Sequence, residues 1–336
     1  MSTQTQADTC PLQRPTAGSA ASDSKAEDGP GLGFAPEHDQ PVRYIDRTRS
    51  WYLTLGYGTP YTWAHYIDVP FSRLRGSLAQ ARASLITTAA PYQPDKGPQG
   101  PGAPFNASAK FHEVYSGDTS QPHDLRISHV GIDRKHADMA DSNCWFPLPA
   151  LQRAAAAGTI GEVAPRFHGL PTDRSQRRTL EVHAPELLAR LQADAVDAVV
   201  LVPNCPVCHQ SCSLVARYLE SHGIATVVLG AARDIVEYCG VPRLVFNDFP
   251  LGNAAGRPGD TASQTLALAL ALQLLEHAPA ARTTVQTALR WSDDPSWKLD
   301  YLNAERFTPE ERVQIRAENE RANSISAAAR QAAAAR

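Results

Sequence analysis

The feature that most constrains the fold is a regular alternation, between residues 198 and 276, of short apolar runs and segments with helical periodicity. The apolar runs are rich in β-branched residues and lie at 198–202, 226–229 and 243–246. Strands that alternate with helices form parallel sheets through right-handed crossovers. The pattern therefore predicts a doubly wound α/β fold with a mostly parallel sheet.

The upstream sequence extends this pattern. The runs at 83–89 and 125–130 predict two further strands. Helices are predicted at 148–157, at 185–192, and at 261–276, which is apolar on all sides and expected to be buried. The predicted fold class is thus α/β with flavodoxin- or Rossmann-like layers.

An aromatic-rich segment at 45–80 precedes the first predicted strand and forms an N-terminal extension to the fold. Such a cluster is typical of a packing layer over a sheet. The alternative is the lid or wall of a ligand pocket.

Composition divides the 336-residue chain into three parts. Residues 1–40 are rich in Ser, Ala, Asp, Gly and Pro, which predicts a disordered tail. Residues 41–290 are predicted to form the α/β catalytic domain, either as one unit or as two lobes, 41–180 and 181–290. Residues 291–336 are predicted to form a C-terminal helical tail.

Charge and hydropathy restrict the classes of partner. The net charge is −3, so there is no basic excess for nucleic acid. No run reaches the roughly 18 apolar residues of a membrane helix, and the N-terminus lacks a signal-peptide pattern. We therefore expect a cytoplasmic protein without nucleic-acid or membrane partners. In that reducing compartment, clustered cysteines indicate redox or metal chemistry rather than structural disulfides.

Cys205 follows the strand predicted at 198–202 and stands at the N-terminus of the next predicted helix. Unpaired N–H groups and the helix dipole favour an anion there and can lower a thiol pKa below its free value of roughly 8.5. Cys208 has the spacing of a resolving thiol, and Cys212, one turn further, is a candidate third thiol. The segment predicts a redox-active or nucleophilic thiolate at Cys205.

Three alternatives remain open for this segment. Cys205, Cys208, Cys212 and His209 could bind a metal or an iron–sulfur cluster. The Cys-x-x-Cys-His sequence also matches a c-type haem attachment motif. The thiols could instead be small apolar groups that pack at the end of a strand.

Polar residues follow other predicted strands, at the sheet edge where α/β proteins bind ligands. They are Thr87 and Thr88 after the first strand, Asn204 beside Cys205, and the pair at 247–248. We expect these groups to converge on one site.

A second polar cluster follows the strand predicted at 125–130. It could supply a general acid, bind a divalent metal, or form a solvent-facing loop; its members are His129, Asp133, His136, Asp141 and Asn143. Of the remaining residues, Cys144 and Cys239 are predicted packing thiols, Cys10 lies in the tail, and His168 is expected on a surface loop.

The stretches DAVVLVPNCPVCHQSC and GIATVVLGAARDIVEYCGVPRLVFNDFPLGNAAGRPG resemble the selenoprotein B family of glycine, sarcosine, betaine and D-proline reductases. In that family a D-A-V-I-L run precedes a selenocysteine-x-x-Cys motif, and a Gly-x-x-Arg strand and a Pro-Leu-Gly-Asn turn follow. Cys205 stands at the selenocysteine position, Cys208 at the second position, and Asn253 in the turn.

HVGIDRKHADMADSNCWFPLPALQRAAAAGTIGEVAP resembles the same family through its His, Asp-x-Asn, Phe-Pro and Gly-x-Ile-Gly elements. It aligns His129, Asp141 and Asn143 with the family pattern. The resemblance covers residues 45 to about 275.

The resemblance implies reductive cleavage of a carbon–heteroatom bond in a small carboxylate-bearing substrate. Cys205 would be the nucleophile and Cys208 the resolving thiol, while the polar residues named above would bind substrate or transfer protons. It implies an external thiol or dithiol reductant and a partner reductase subunit. We predict no bound cofactor, a metal being the alternative, and we expect a homo-oligomer. The pyruvoyl group of the family belongs to a separate subunit.

The chain departs from the family in two ways. Sulfur replaces selenium at Cys205 and is the weaker nucleophile, and Cys212 lies one residue beyond the family's usual third cysteine. Two other functions therefore stay open: a cofactor-independent, cysteine-based isomerase or lyase resembling the aspartate/glutamate racemases, and a metal-binding accessory subunit.

Overall fold

The structure is a computed structural model that describes residues 40–334 except Pro104, Ser128 and Asp173. The tail predicted at 1–40 lies outside the described residues apart from Gln40, and Cys10 lies outside them too. The predicted domain boundaries stay a prediction.

The described residues form a mixed sheet and a separate two-stranded sheet. The strands are β1 (Arg82–Thr87), β2 (Ala90–Pro91), β3 (Tyr115–Asp118), β4 (Leu125–Arg126), β5 (Glu162–Val163), β6 (Arg166–Gly169), β7 (Ala198–Val202), β8 (Ala225–Gly230), β9 (Arg243–Phe246) and β10 (Thr283–Gln286). The main sheet has the order β3-β6-β1-β7-β8-β9-β10, and β5 pairs with β1. Its pairings are parallel except that of β3 with β6, while β2 and β4 form the small antiparallel sheet.

Helices connect the strands and continue past the last one. They are α1 (Tyr44–Thr54), α2 (Leu148–Ala156), α3 (Gln176–Arg178), α4 (Ala184–Ala193), α5 (Pro206–Ser221), α6 (Arg233–Cys239), α7 (Thr261–His277), α8 (Trp297–Asp300) and α9 (Pro309–Ala334). A π-helical turn, Thr179–His183, joins α3 to α4. Within the described part of the chain, no helix combines the length and the apolarity that a membrane crossing requires.

Apolar clusters cover both faces of the sheet. All five residues of β7 are buried. Val200 and Val202 pack into one cluster with residues of α2 and α7, whereas Val199 and Leu201 pack into the other with residues of α4 and α5. This alternation follows from the two-residue period of a strand. The predicted α/β fold with a mostly parallel sheet is confirmed.

The chain order of the strands creates a crevice between β1 and β7. From β1 the chain moves to β5 and β6 on one side, and then returns to β7 on the other side. Ligands bind in α/β sheets at such a reversal, outside the carboxyl ends of the strands. Thr87 pairs with Val202, so both strands end at the same level. Thr88 and Asn204 therefore lie side by side.

Three predictions about local structure differ from the structure. Of the strand predicted at 125–130, the described residues form only Leu125–Arg126, which pairs with the two residues of β2. The helix predicted at 261–276 is not buried all round: Leu266 on α7 is 42% exposed. His168 is not a surface residue, because β6 carries it into the core, where its Nδ1 lies 2.8 Å from the Ser116 hydroxyl.

Candidate functional site

A cavity of about 310 Å³ opens beside the N-terminus of α5. Cys205, His129 and Thr172 lie on its inner wall. The rest of the wall includes aromatic rings, cations and residues of the C-terminal segment, among them Trp51, Tyr52, Tyr61, Lys110, Arg174, Tyr301, Asn319 and Asn323. Part of the segment 45–80 thus forms a pocket wall, which was the alternative to a packing layer over the sheet.

Cys205 is the N-cap of α5. Its backbone is extended, Pro206 occupies the first helical turn, and the Cys205 sulfur accepts a hydrogen bond from the Cys208 N–H at 3.3 Å. The thiol therefore takes the place of the serine or aspartate that usually caps a helix. Cys205 is 6% exposed and reaches the cavity.

Cys208 lies behind Cys205 and is fully buried. The two sulfurs and a ring nitrogen of His129 all lie within 4.8 Å of one another. Thr172 bridges this group, since its hydroxyl oxygen is 3.0 Å from His129 Nε2 and 3.8 Å from the Cys208 sulfur. Among the described residues, His129 Nδ1 is buried without a hydrogen-bond partner.

The surroundings of the two thiols differ. Burial, reinforced by the hydrogen bond and the charge of Cys208, raises the pKa of the Cys205 thiol well above its usual value. Burial also opposes ionisation of Cys208. There, however, the Cys205 thiol, His129 and the Thr88 hydroxyl outweigh it and hold the pKa of Cys208 well below its usual value. Ionisation of one sulfur opposes ionisation of the other, and the hydrogen bonds around Cys208 favour the anion there.

The thiolate at Cys205 stays a prediction, and the structure adds groups that act on Cys208. A helix N-terminus favours an anion at Cys205, as predicted, but two groups from distant segments act on Cys208 instead. Thr88 follows β1, and His129 lies in the loop after β4. The sequence around residue 205 gives no indication that Thr88 or His129 lies near Cys208.

The predicted residues at the ends of β1 and β7 fall into two groups. Asn204 donates to the Thr88 hydroxyl oxygen through its backbone N–H at 3.2 Å and its side-chain Nδ2 at 2.9 Å. These bonds join the two strands across the crevice. Thr87 instead donates to the Trp145 carbonyl at 2.8 Å, away from the sulfurs.

His209 and Cys212 do not join the two thiols as predicted for a metal site. His209 Nδ1 lies 2.8 Å from the Cys205 carbonyl oxygen, and Nε2 accepts from the backbone N–H groups of Ala231 and Ala232. Burial lowers the pKa of His209 to about 4, so the ring is neutral. Its hydrogen bonds connect α5 to the loop after β8. Cys212 is fully buried, and burial and the nearby Cys208 raise its pKa.

The predicted metal ligands Cys212 and His209 are therefore replaced by His129. In the part of the chain that the structure describes, His129, Cys205 and Cys208 lie close enough together to hold an ion.

Asp141, Asn143 and Asn253 lie outside the cavity wall. The Asp141 carboxylate accepts from the Asn143 N–H at 3.0 Å and from the Gly259 N–H at 2.8 Å. Although desolvation opposes ionisation, these bonds lower the pKa of Asp141. Asn253 is fully buried, and its Nδ2 lies 3.4 Å from the Asp138 carbonyl. In this structure the three residues hold loops in place.

The other polar residues of the prediction are also occupied elsewhere. Asn247 donates to the Ala254 carbonyl at 2.8 Å, and Asp248 forms an ion pair with Lys298. His136 lies between two carboxylates, with Nδ1 3.0 Å from Asp133 and Nε2 3.3 Å from Asp300. The third strand end therefore does not converge with the other two.

Sequence reasoning overlooked Lys110, Thr172, Arg174 and Tyr301. The Lys110 ammonium donates to the Thr172 carbonyl at 2.9 Å, and Arg174 donates to the Tyr52 hydroxyl at 3.0 Å. Arg174 has φ of 65°, which is uncommon for a residue other than glycine. These residues lie in loops without periodicity, so no sequence pattern could have indicated them.

Together, the fold and the site define a doubly wound α/β protein with a paired-cysteine site at the reversal point of a parallel sheet. The chain is 32% identical over 179 residues to D-proline reductase subunit gamma of Acetoanaerobium sticklandii, an alignment that covers 53% of this chain and 73% of that protein. The chain belongs to the family of this reductase subunit, which supports an oxidoreductase-related role. No family model and no solved structure matches the chain.

Proposed function

We propose that the chain is the thiol-bearing subunit of a reductase of the selenoprotein B type. In this proposal Cys205 and Cys208 cleave a carbon–heteroatom bond of a small carboxylate-bearing substrate. The supporting observation is the arrangement of the pair: one sulfur on the cavity wall, the second behind it, both within 4.8 Å of each other and of His129.

In the first step Cys205 attacks the substrate carbon while Cys208 takes its proton. A carbon–sulfur bond forms, and the heteroatom leaves with its bonding electron pair and takes a proton from His129. Because the pKa of Cys208 is lowered and that of Cys205 is raised, this proton transfer accompanies the attack on carbon rather than preceding it.

In the second step Cys208 returns its proton to His129 and attacks the sulfur of Cys205. A disulfide forms, the carbon–sulfur bond breaks, and the carbon keeps the electron pair and takes a proton from solvent. The substrate gains two electrons, and the two thiols lose them. An external thiol or dithiol then reduces the disulfide by exchange.

The cavity wall suits a small anion with an apolar body. Lys110 and Arg174 provide positive charge, and guanidinium groups pair readily with carboxylates. Trp51, Tyr52 and Tyr61 provide the apolar surface. The relative's name points to D-proline as the first compound to assay. Because that relative is a subunit, we further propose a partner reductase subunit, and a homo-oligomer as the state of this chain.

Mass spectrometry with cysteine variants tests the proposal. The purified, reduced protein is incubated with D-proline and related amino and hydroxy acids, alone and with a partner subunit. Cys208→Ser lacks both the proton acceptor and the resolving thiol, so an adduct on Cys205 should form more slowly than in the wild type and then persist. The wild type should form a disulfide between positions 205 and 208. Cys205→Ser should form neither, and Cys212→Ser, the control on the same helix, should behave as the wild type.

Two outcomes contradict the proposal. One is full turnover by Cys205→Ser. The other is exchange of a substrate hydrogen for solvent deuterium without net reduction, which would favour the isomerase.

A further inference from the structure

His129, Cys205 and Cys208 offer three ligand atoms from two distant segments of the chain. All three atoms lie within 4.8 Å of one another, and all three residues are buried. The site does not depend on helix α5 alone, because His129 comes from the loop after β4. Its Nδ1 is buried and, within the described residues, unpaired.

Two thiolates and an imidazole are a donor set that selects soft or borderline cations such as Zn²⁺. Closed structural zinc sites have four protein ligands, whereas open sites have three and leave one position for an exogenous ligand. We propose that His129, Cys205 and Cys208 form an open, three-ligand site for Zn²⁺ or another thiophilic divalent cation, with its fourth position facing the cavity.

Neighbouring groups are placed to orient the three ligands. The Cys208 N–H donates to the Cys205 sulfur, and the Thr172 hydroxyl lies between His129 and Cys208. Hydrogen bonds of this kind fix the direction of metal ligands and are usual around metal sites. Tetrahedral coordination brings ligand atoms to about 3.5–3.8 Å of one another, so atoms that now lie within 4.8 Å need to approach by no more than about 1.3 Å.

Charge favours an anion at the fourth position. A divalent cation with two thiolates and a neutral imidazole has no net charge. Lys110 and Arg174 lie on the same cavity wall. A carboxylate or chloride that completes the coordination is therefore stabilised by both cations.

Bound metal and the disulfide exclude each other, since both use the same two sulfurs. Metal binding should therefore protect both thiols from alkylation. This consequence does not depend on the proposed reductase chemistry.

Equilibrium dialysis of the reduced, metal-free full chain against Zn²⁺ alone, with elemental analysis, tests the site. We expect one Zn²⁺ per chain. His129→Ala, Cys205→Ser and Cys208→Ser should each weaken binding by about 100-fold or more, because even the loss of a group that only supports a ligand costs 10- to 100-fold. Cys212→Ser and His136→Gln are the controls and should bind as the wild type, and circular dichroism checks each fold.

Co²⁺ provides a second measurement. With Co²⁺ raised to saturation, its sulfur-to-metal charge-transfer absorbance should fall by about half in each single cysteine variant, because one of two thiolate ligands is lost. Absence of stoichiometric binding, equal binding by all variants, or loss of binding in Cys212→Ser overturns the proposal. His129→Ala separates the two proposals, because it removes the metal site but leaves the 205–208 disulfide free to form with an added oxidant such as diamide.

Discussion

The hydroxyl of Thr88 lies where β1, β7 and the thiol pair meet. Its oxygen accepts two hydrogen bonds from Asn204, at 2.9 and 3.2 Å. Its own hydrogen then remains for the sulfur of Cys208, and that bond contributes to the lowered pKa of Cys208. Thr88→Val keeps the shape of the side chain and removes all three interactions.

The expected size of both effects follows from these contacts. Each buried donor of Asn204 left unpaired costs about 1–3 kcal/mol, and since the longer bond is the weaker, the unfolding free energy should fall by about 2–4 kcal/mol. A hydrogen bond to a charged sulfur contributes about 1.5 kcal/mol. At 1.36 kcal/mol per pKa unit, its loss should raise the pKa of Cys208 by about one unit.

The assay follows the ultraviolet absorbance of the thiolate as a function of pH, with Cys208→Ser as the reference, and urea unfolding in parallel. Thr87→Val is a matched control. The Thr87 hydroxyl binds the Trp145 carbonyl rather than a sulfur, so stability should fall while the thiol titration stays in place. The reasoning is refuted if Thr88→Val leaves the titration unchanged, or if Thr87→Val shifts it equally.

Two further predictions concern buried charges away from the cavity. Glu220 and Arg243 form an ion pair at 2.7 Å, and their side chains are 0% and 1% exposed. Glu220→Gln leaves the guanidinium without its counter-charge. Urea unfolding should therefore show a free energy of unfolding lower by about 3–5 kcal/mol. A loss below about 1 kcal/mol would contradict this, and Arg243→Met in the same chain should restore part of the loss. Burial raises the pKa of Asp234 to about 6, so its protonated form stabilises the fold at low pH and this contribution disappears as the pH rises from about 4 to 6. Asp234→Asn should therefore gain up to about 3 kcal/mol over the wild type across that window, and equal pH dependence of the two urea midpoints would disprove the assignment.

Much of the secondary structure around the cysteines was readable from local pattern. The strands predicted at 198–202 and 243–246 coincide with β7 and β9. All of β7 and the last three residues of β9 are apolar, because helices cover both faces of the sheet. By contrast, α7 is apolar on all sides, so its sequence did not distinguish the buried face from the exposed face that carries Leu266. Which face is buried depends on the elements that pack against the helix.

The same contrast applies to the site. The Asp-x-Asn motif at 141–143 was interpreted as a candidate general acid or metal ligand. In the structure Asp141 caps a short helical turn and holds Gly259, because aspartate before a turn binds the nearest backbone N–H groups. A motif shows which groups are present, and their distances to other segments decide whether they cap or react.

The sequence by itself determined the alternation of strands and helices, the α/β class, and the position of Cys205 at a helix N-terminus with Cys208 one turn further. All of these depend on residues close together in the chain. Only the tertiary structure decided that His129 joins the two sulfurs, that Lys110 and Arg174 line the same cavity, and that Thr88 and His129 act on the pKa of Cys208. The physical reason is that charge and coordination depend on distance in space, and loop residues brought together by the strand reversal at β1 and β7 share no periodicity that a sequence could display.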